Sequence, residues 1–430
     1  MKKLFLLLFI LFSVNIFAQK KANFCQRSTY LKASGNIENE KIAYDALLKK
    51  ASEGSSRGTI TVPIVFHVLY KKQKDNVPDS IILKTLKILN EDFQAKNEDL
   101  KNLRPTFKNV AGNTNVEFKL HKIIRKKTNT NFGYDNSDTT FYLGLNLLET
   151  VKFTSKGGSD PLDPERFLNV WICKIGVYID GVYNGDDDYD LAYALPPLGH
   201  PQWLGTTVDS ITLASKKRDG VVISKNMLGE LLLGSDSMPV LVKNRTLSHE
   251  VGHYLGLRHI FGEDSTDCKD TDLLKDTPTC QFSGICSDSL NSCTDSLNDM
   301  PDLWENYMDY STDDCKNMFT KQQAALMQAC LEIYRPKLRE EFVAVNDDVS
   351  TKNTRIYPNP SSQTLNIDFS FLPSENSKIE IYNTFGQLIS KEKIQNSSLF
   401  FDVSNWKSSF YILKIYKNEK EVEVLKFLKQ

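Results

Sequence analysis

Arg245-Thr-Leu-Ser-His-Glu-Val-Gly-His-Tyr-Leu-Gly-Leu-Arg-His-Ile-Phe-Gly262 decides the reading of this chain. It carries His249, Glu250, His253, Gly256 and His259 in the spacing H-E-x-x-H-x-x-G-x-x-H. Two histidines four apart project from one face of a helix and can hold one ion. Glu250 leans over the same face and is not needed as a ligand. Gly256 lets the chain leave the helix in a conformation other residues resist, which swings His259 round as a third ligand. Three neutral nitrogen ligands leave one zinc position open to water, as a catalytic site requires and a structural site does not. The competing reading is an amphipathic helix whose histidines are only packed. With six histidines in the chain, this constellation arises by chance on the order of 10⁻⁶ to 10⁻⁵. The expectation is therefore a zinc hydrolase. Zinc lowers the pKa of bound water to about 7, and Glu250 can take its proton and pass it to a leaving amine.

At 430 residues the chain has room for two or three domains, and its net charge of −1 gives no reason to expect nucleic acid or a membrane surface as partner. Lys2 and Lys3 precede an apolar run from Leu4 to Phe17 that ends at Ala18-Gln19. That run is shorter than the roughly 20 residues a bilayer span needs. Residues 1–18 are read as a signal peptide, with a retained anchor as the alternative, and no later stretch reads as a transmembrane anchor. Five of the eight cysteines (Cys268, Cys280, Cys286, Cys293 and Cys315) crowd the region after the histidines. In an exported protein such a cluster reads as disulfides bracing a loop-rich region, since no tight C-x-x-C pair suggests a second zinc site.

Residues 19–57 are polar and lysine-rich, with a helix expected from Glu38 to Ala51 and a basic cleavage candidate at Arg57, and read as a propeptide. Thr61 to Tyr70 reads as a strand in which His67 is packed, and Asp79 to Ala95 as a helix capped by Asp79. Val116 to Leu120 alternates, which sends His121 to solvent. Phe167 to Ile175 reads as a central strand, residues 176–218 as irregular, His200 as incidental, and Asp219-Gly-Val-Val-Ile-Ser224 as a short strand. The acidic run 185–190 reads as a solvated loop, with calcium binding as the alternative. A helix with a capping box at Thr320-Lys-Gln-Gln323 is expected to reach Leu338. Residues 58–342 thus form an α+β catalytic domain with a mixed sheet and an active-site helix. Residues 343–354 form a linker, and 355–430 a small antiparallel β-sandwich.

The zinc motif with a downstream methionine is that of the metzincin clan. The stretch Arg245–Gly262, Asp276-Thr-Pro278, Glu305-Asn-Tyr-Met-Asp-Tyr310 and Met318-Phe-Thr320 resemble the pappalysin family of secreted metalloendopeptidases across about residues 60–338. The resemblance implies a zincin-like fold, Met308 as a hydrophobic floor beneath the metal, and Tyr310 as a stabiliser of the oxyanion. It implies disulfides Cys268–Cys293 and Cys286–Cys315. Cys280 has no counterpart, so rearrangement stays open, and Cys173 and Cys330 are expected as buried thiols. It further implies structural calcium, with Asp270, Asp272, Asp276 and Thr277 as candidate oxygen ligands. An acidic residue at Asp313 goes, in the family, with cleavage before Arg or Lys. Cys25, the only cysteine ahead of the catalytic domain, is expected to hold the precursor latent by filling the open zinc position, the alternative being a disulfide with Cys330 or Cys280. The tail, in Ile356-Tyr-Pro-Asn-Pro360 and Ile381-Tyr-Asn-Thr-Phe-Gly386, resembles the C-terminal sorting domain of type IX secretion. It departs from that pattern at Ser408-Ser-Phe-Tyr411, where a glycine usually precedes the tyrosine. The implied partners are protein or peptide substrates and the secretion machinery, and the implied location is outside the cell or on its surface. From a different class, the chain could instead be an inactive metzincin-fold adhesin or binding module. Glu250 and Tyr310 argue against that reading.

Overall fold

A computed structural model describes residues 24–25, 37–53, 58–135, 148–179, 182–184, 191–203, 216–235, 238–262, 268–269, 271–294, 299–339, 354–369, 376–417 and 420–430. The signal segment 1–18, Arg57, the acidic run 185–190, Asp270 and residues 343–353 lie outside these. Six strands form the main sheet: β1 (Phe24–Cys25), β2 (Ile60–Tyr70), β3 (Val116–Lys127), β4 (Leu168–Cys173), β5 (Leu191–Ala194) and β6 (Val221–Ser224), in the order β1-β5-β6-β4-β2-β3. β2, β3, β4 and β6 are parallel, β5 runs antiparallel to β6, and β1 pairs parallel with β5. β4 lies inside the sheet and is buried along its whole length, as a parallel strand covered on both faces must be.

The strand period of two sorts side chains onto two cores. Val170 and Ile172 of β4 point to the larger core, where α2 (Asp79–Phe93), α3 (Thr246–Tyr254) and α4 (Lys321–Ile333) pack. Trp171 and Cys173 point to the smaller one with Leu69 and Tyr193. α2 buries the expected stripe Ile82, Leu86, Leu89 and Phe93. Its capping differs from expectation. Pro78 occupies the N-cap with no side-chain cap, because Asp79 is buried and paired with Arg125 of β3.

His67 is fully buried, bonded to Ser159 Oγ and Asn169 Oδ1 at 2.9 Å each and stacked on Trp171. His121 is exposed at a register shift in β3. The capping box of α4 forms between Thr320 and Gln323. The helix stops at Ile333 rather than Leu338, and Pro336 opens a short 3-10 turn, since a proline there removes a helix donor. The stretch read as irregular contains strand structure after all: Ile175–Ile179 runs into it, and Val182–Asn184 and β5 lie within it, each too short to show periodicity. A helix α1 (Ile37–Glu53) packs along α4.

The tail has seven antiparallel strands in two sheets: β7 (Arg355–Tyr357), β8 (Thr364–Asp368) and β11 (Ser398–Asp402) in one, and β9 (Lys378–Asn383), β10 (Leu388–Lys393), β12 (Ser409–Lys417) and β13 (Lys420–Lys429) in the other. Ile367, Ile381, Phe401 and Leu413 from both sheets share one separate core, as in a β-sandwich. Among the described residues no helix is long and apolar enough to cross a membrane.

Candidate active site

α3 presents His249 and His253 one turn apart, and the chain leaves it through Gly256 at φ +93. A side chain there would also meet His200, whose Nε2 lies 2.6 Å from the position of a Cβ. The turn brings His259 back to the helix. His253 Nε2 lies 3.1 Å from Nε2 of both His249 and His259. The Nδ1 atoms of His249 and His253 lie 2.7 and 2.9 Å from the carbonyls of Tyr307 and Leu257. Those carbonyls only accept, so each Nδ1 carries the proton and each Nε2 turns a lone pair inward. Converging lone pairs at this spacing repel unless a cation lies among them. Tetrahedral zinc with nitrogen ligands at 2.0–2.1 Å needs them about 3.4 Å apart, so the set fits the ion. Glu250 is fully buried beside His249.

The floor is built by packing. Met308 is fully buried beneath α3, and a Cβ on Gly252 would fall 2.4 Å from its sulfur. Tyr310, two residues on, is partly exposed, its ring 4.8 Å from that of His259 and 5.6 Å from that of His249. Phe261 stacks on His259, and Phe282, 46% exposed, meets the edges of Phe261 and Tyr310. Tyr310 and Phe282 are thus the partly exposed members of a ring cluster that has His259 and Phe261 buried behind them.

A second layer holds the first, and no motif announces it. Asp92, buried on α2, accepts from Ser248 Oγ at 2.6 Å and from the Tyr307 phenol at 2.9 Å. Arg245 Nε lies 3.2 Å from the same carboxylate, and Arg245 also pairs with Asp99. Burial pushes the Asp92 carboxyl up, with Arg245 opposing. Asp92 thereby holds both the neighbour of His249 and the residue whose carbonyl orients it. His200, read as incidental rather than as a ligand, stands outside the three-histidine group and is buried against Gly256 between Tyr44 and Tyr334. The sequence signal for Asp92 was available only as a charged residue inside an apolar helical stripe.

The loop region carries both implied disulfides, Cys268–Cys293 and Cys286–Cys315. Cys173, Cys280 and Cys330 are buried thiols outside them, and burial pushes Cys330 up to about 12. Of the candidate calcium ligands, Asp276 spends both oxygens on Thr320 and the Gln322 amide at the start of α4. Asp272 Oδ1 accepts from Thr277 and the Leu274 amide, while its buried Oδ2 has no hydrogen-bond partner among the described residues. Asp313 is buried, accepts from the Arg245 amide at 3.0 Å, and pairs with Lys316 at 2.8 Å. Cys25 lies on β1, opposite Ala192 of β5, and β5 packs against α3.

Residues 229–332 match the family described as Pregnancy-associated plasma protein-A, and residues 355–430 match the Secretion system C-terminal sorting domain. Mature mirolysin of Tannerella forsythia, solved with a cleaved peptide, is 31% identical at a TM-score of 0.50, with 66% of this chain and 100% of that one covered. A promirolysin mutant of the same organism is 29% identical at 0.55, with 74% of this chain and 96% of that one covered. An extracellular metalloprotease of Arthroderma gypseum is 26% identical over 306 residues, 69% of this chain and 83% of its own. One of Arthroderma otae is 40% identical over 99 residues, 22% of this chain and 33% of its own.

Proposed function

The chain belongs to the pappalysin family of metalloproteases, and from that premise we propose that it is a secreted zinc endopeptidase in which Glu250 is the general base. The observation that carries this is the inward convergence of three imidazole Nε2 atoms beside a buried carboxylate. Zinc held by His249, His253 and His259 would acidify a water and polarise a peptide carbonyl. Glu250 takes the proton at its carboxylate and returns it to the amine as the peptide bond breaks. The Tyr310 phenol donates to the carbonyl oxygen as that atom gains charge. Phe282, backed by the buried Phe261, presents an apolar surface to the substrate.

In Glu250→Ala protein, zinc content should stay near one ion per chain while turnover falls by a factor on the order of 10² to 10⁴ or more. Near-normal hydrolysis sinks the mechanism. Silence of wild type on casein and fibrinogen but not on short peptides points to a peptidase of small peptides only, and equal silence of wild type and variant on both favours the inactive adhesin. The sorting tail and the extracellular relatives make this a secreted or cell-surface protein. Removing residues 355–430 should strand a competent enzyme in the periplasm.

Two finer readings accompany this one. Calcium is a structural ion near Asp272, supported by a buried oxygen of that residue with no partner among the described residues. A calcium-selective chelator should lower the melting temperature without removing zinc, and an unchanged melt refutes it. Cys25 holds the precursor latent, supported by its pairing with Ala192 on the strand beside α3. Cys25→Ser precursor should be active before cleavage, and one as silent as wild type counts against the switch.

A further inference from the structure

Arg258 lies inside the turn that runs from Gly256 to His259, and it is only 4% exposed. Its Nη1 donates to Glu40 Oε2 at 2.9 Å, and its Nε to the Thr271 carbonyl at 3.0 Å. Glu40 belongs to α1 and is 2% exposed. One turn further along α1, the fully buried Tyr44 donates its phenol proton to the Gly256 carbonyl at 2.9 Å. Gln202 Nε2 donates to the same carbonyl at 2.7 Å and to the Tyr44 oxygen. Leu47, a further turn on, enters the main core. One face of α1 is therefore seated on the turn that delivers His259.

We propose that this face is a docking surface for the chain's own excised segment: once the chain is cut between α1 and β2, α1 stays bound across the 256–259 turn. Release is then a second, separate step of activation. The inference rests on the reading of residues 19–57 as a propeptide. Cutting one bond between α1 and β2 removes none of the contacts just described. It turns a tethered contact into one that dissociates at a rate set by those contacts together with the pairing of β1 on β5 and the packing of α1 along α4. Departure of α1 strips the guanidinium of Arg258 of its carboxylate partner, a loss that opposes release. It also uncovers Tyr44, Leu47 and the part of α4 they cover.

The test uses the full-length chain in a Glu250→Gln background, so that no self-digestion intervenes. A recognition sequence for a site-specific protease replaces residues 54–57, and the cut protein is run on native gel filtration. The excised segment should co-elute with the remainder. A Glu40→Gln sample, shown to melt cooperatively before cutting, should release it roughly a hundredfold faster, the scale expected when a buried charge loses its partner. Separation of the unsubstituted segment as soon as the bond is cut overturns the proposal, as does equal release from both samples. If Glu40→Gln does not fold, Tyr44→Phe replaces it, keeping the ring and removing the bond to Gly256, and should release the segment about fivefold faster. Equal release from that variant overturns the proposal in the same way. These measurements read no activity. The propeptide reading fails separately, if cut and segment-free protein with Glu250 intact hydrolyses peptides no faster than the uncut chain.

Discussion

Ser248 Oγ donates to Asp92 Oδ2 at 2.6 Å, tying the residue before the first histidine to a helix that carries no ligand. The other oxygen of Asp92 takes the phenol of Tyr307, whose carbonyl orients His249. Partners of this kind set ligand basicity and ring angle. Asp92→Asn should therefore lower zinc affinity about ten- to a hundredfold, with KM little changed for zinc-saturated enzyme. Competition with a chromophoric chelator measures it, and unaltered affinity would remove Asp92 from the support of the site.

Gly256→Ala should cost about 1–2 kcal/mol from the left-handed backbone alone, with more from the collision with His200. His259 should then bind zinc less well. Adding His200→Ala relieves the collision but not the backbone. The double variant should recover part of the thermal stability, and full recovery would show the backbone at Gly256 to be unstrained.

His67 supplies a pH dependence remote from the metal. Burial lowers its pKa to about 4 from 6.5, against the raising effect of the Asn169 hydrogen bond. Between those values the unfolded chain binds a proton that the folded chain does not. Stability from this group is complete above pH 6.5 and is lost as pH falls toward 4. The span amounts to about 3 kcal/mol. His67→Gln should flatten denaturant-unfolding free energies across this window. An unchanged slope would mean that His67 is not protonated on unfolding.

For cleavage preference, Asp313 is the candidate selector of Arg or Lys after the scissile bond. Its carboxylate already serves Lys316 and the amide that begins α3. A basic substrate side chain would have to share it. Asp313→Ala should flatten the preference in a peptide-library digest while sparing zinc. It should also destabilise the fold by about 3 kcal/mol, because Lys316 is left buried and alone. An unchanged cleavage profile would leave Asp313 with the second role only.

The zinc constellation, the strands at residues 60–70 and 168–173, and the capping box at Thr320 were legible because their signals are local. A fixed spacing, a β-branched run and an i to i+3 pair each lie within a short run of consecutive residues. What escaped depends on distance along the chain. Asp92 meets Ser248 across 156 residues, and Glu40 meets Arg258 across 218. β5 escaped for a different reason: four residues carry too little pattern to separate a strand from a loop. Asp79 misled because an acidic residue at a helix start normally caps it, and here burial beside Arg125 took precedence.

Gly252 and Met308 cannot vary independently. The space a methyl group would need on the glycine is filled by the methionine sulfur, 2.4 Å from where that Cβ would stand. Alanine at 252 requires the Met308 side chain to move from its buried place or to shrink, and a smaller residue at 308 opens a void under the histidines until 252 grows. Either single step passes through a less stable protein, so the order of substitutions matters and the pair resists drift. The glycine between the two helical histidines is thus held small by a residue 56 positions away.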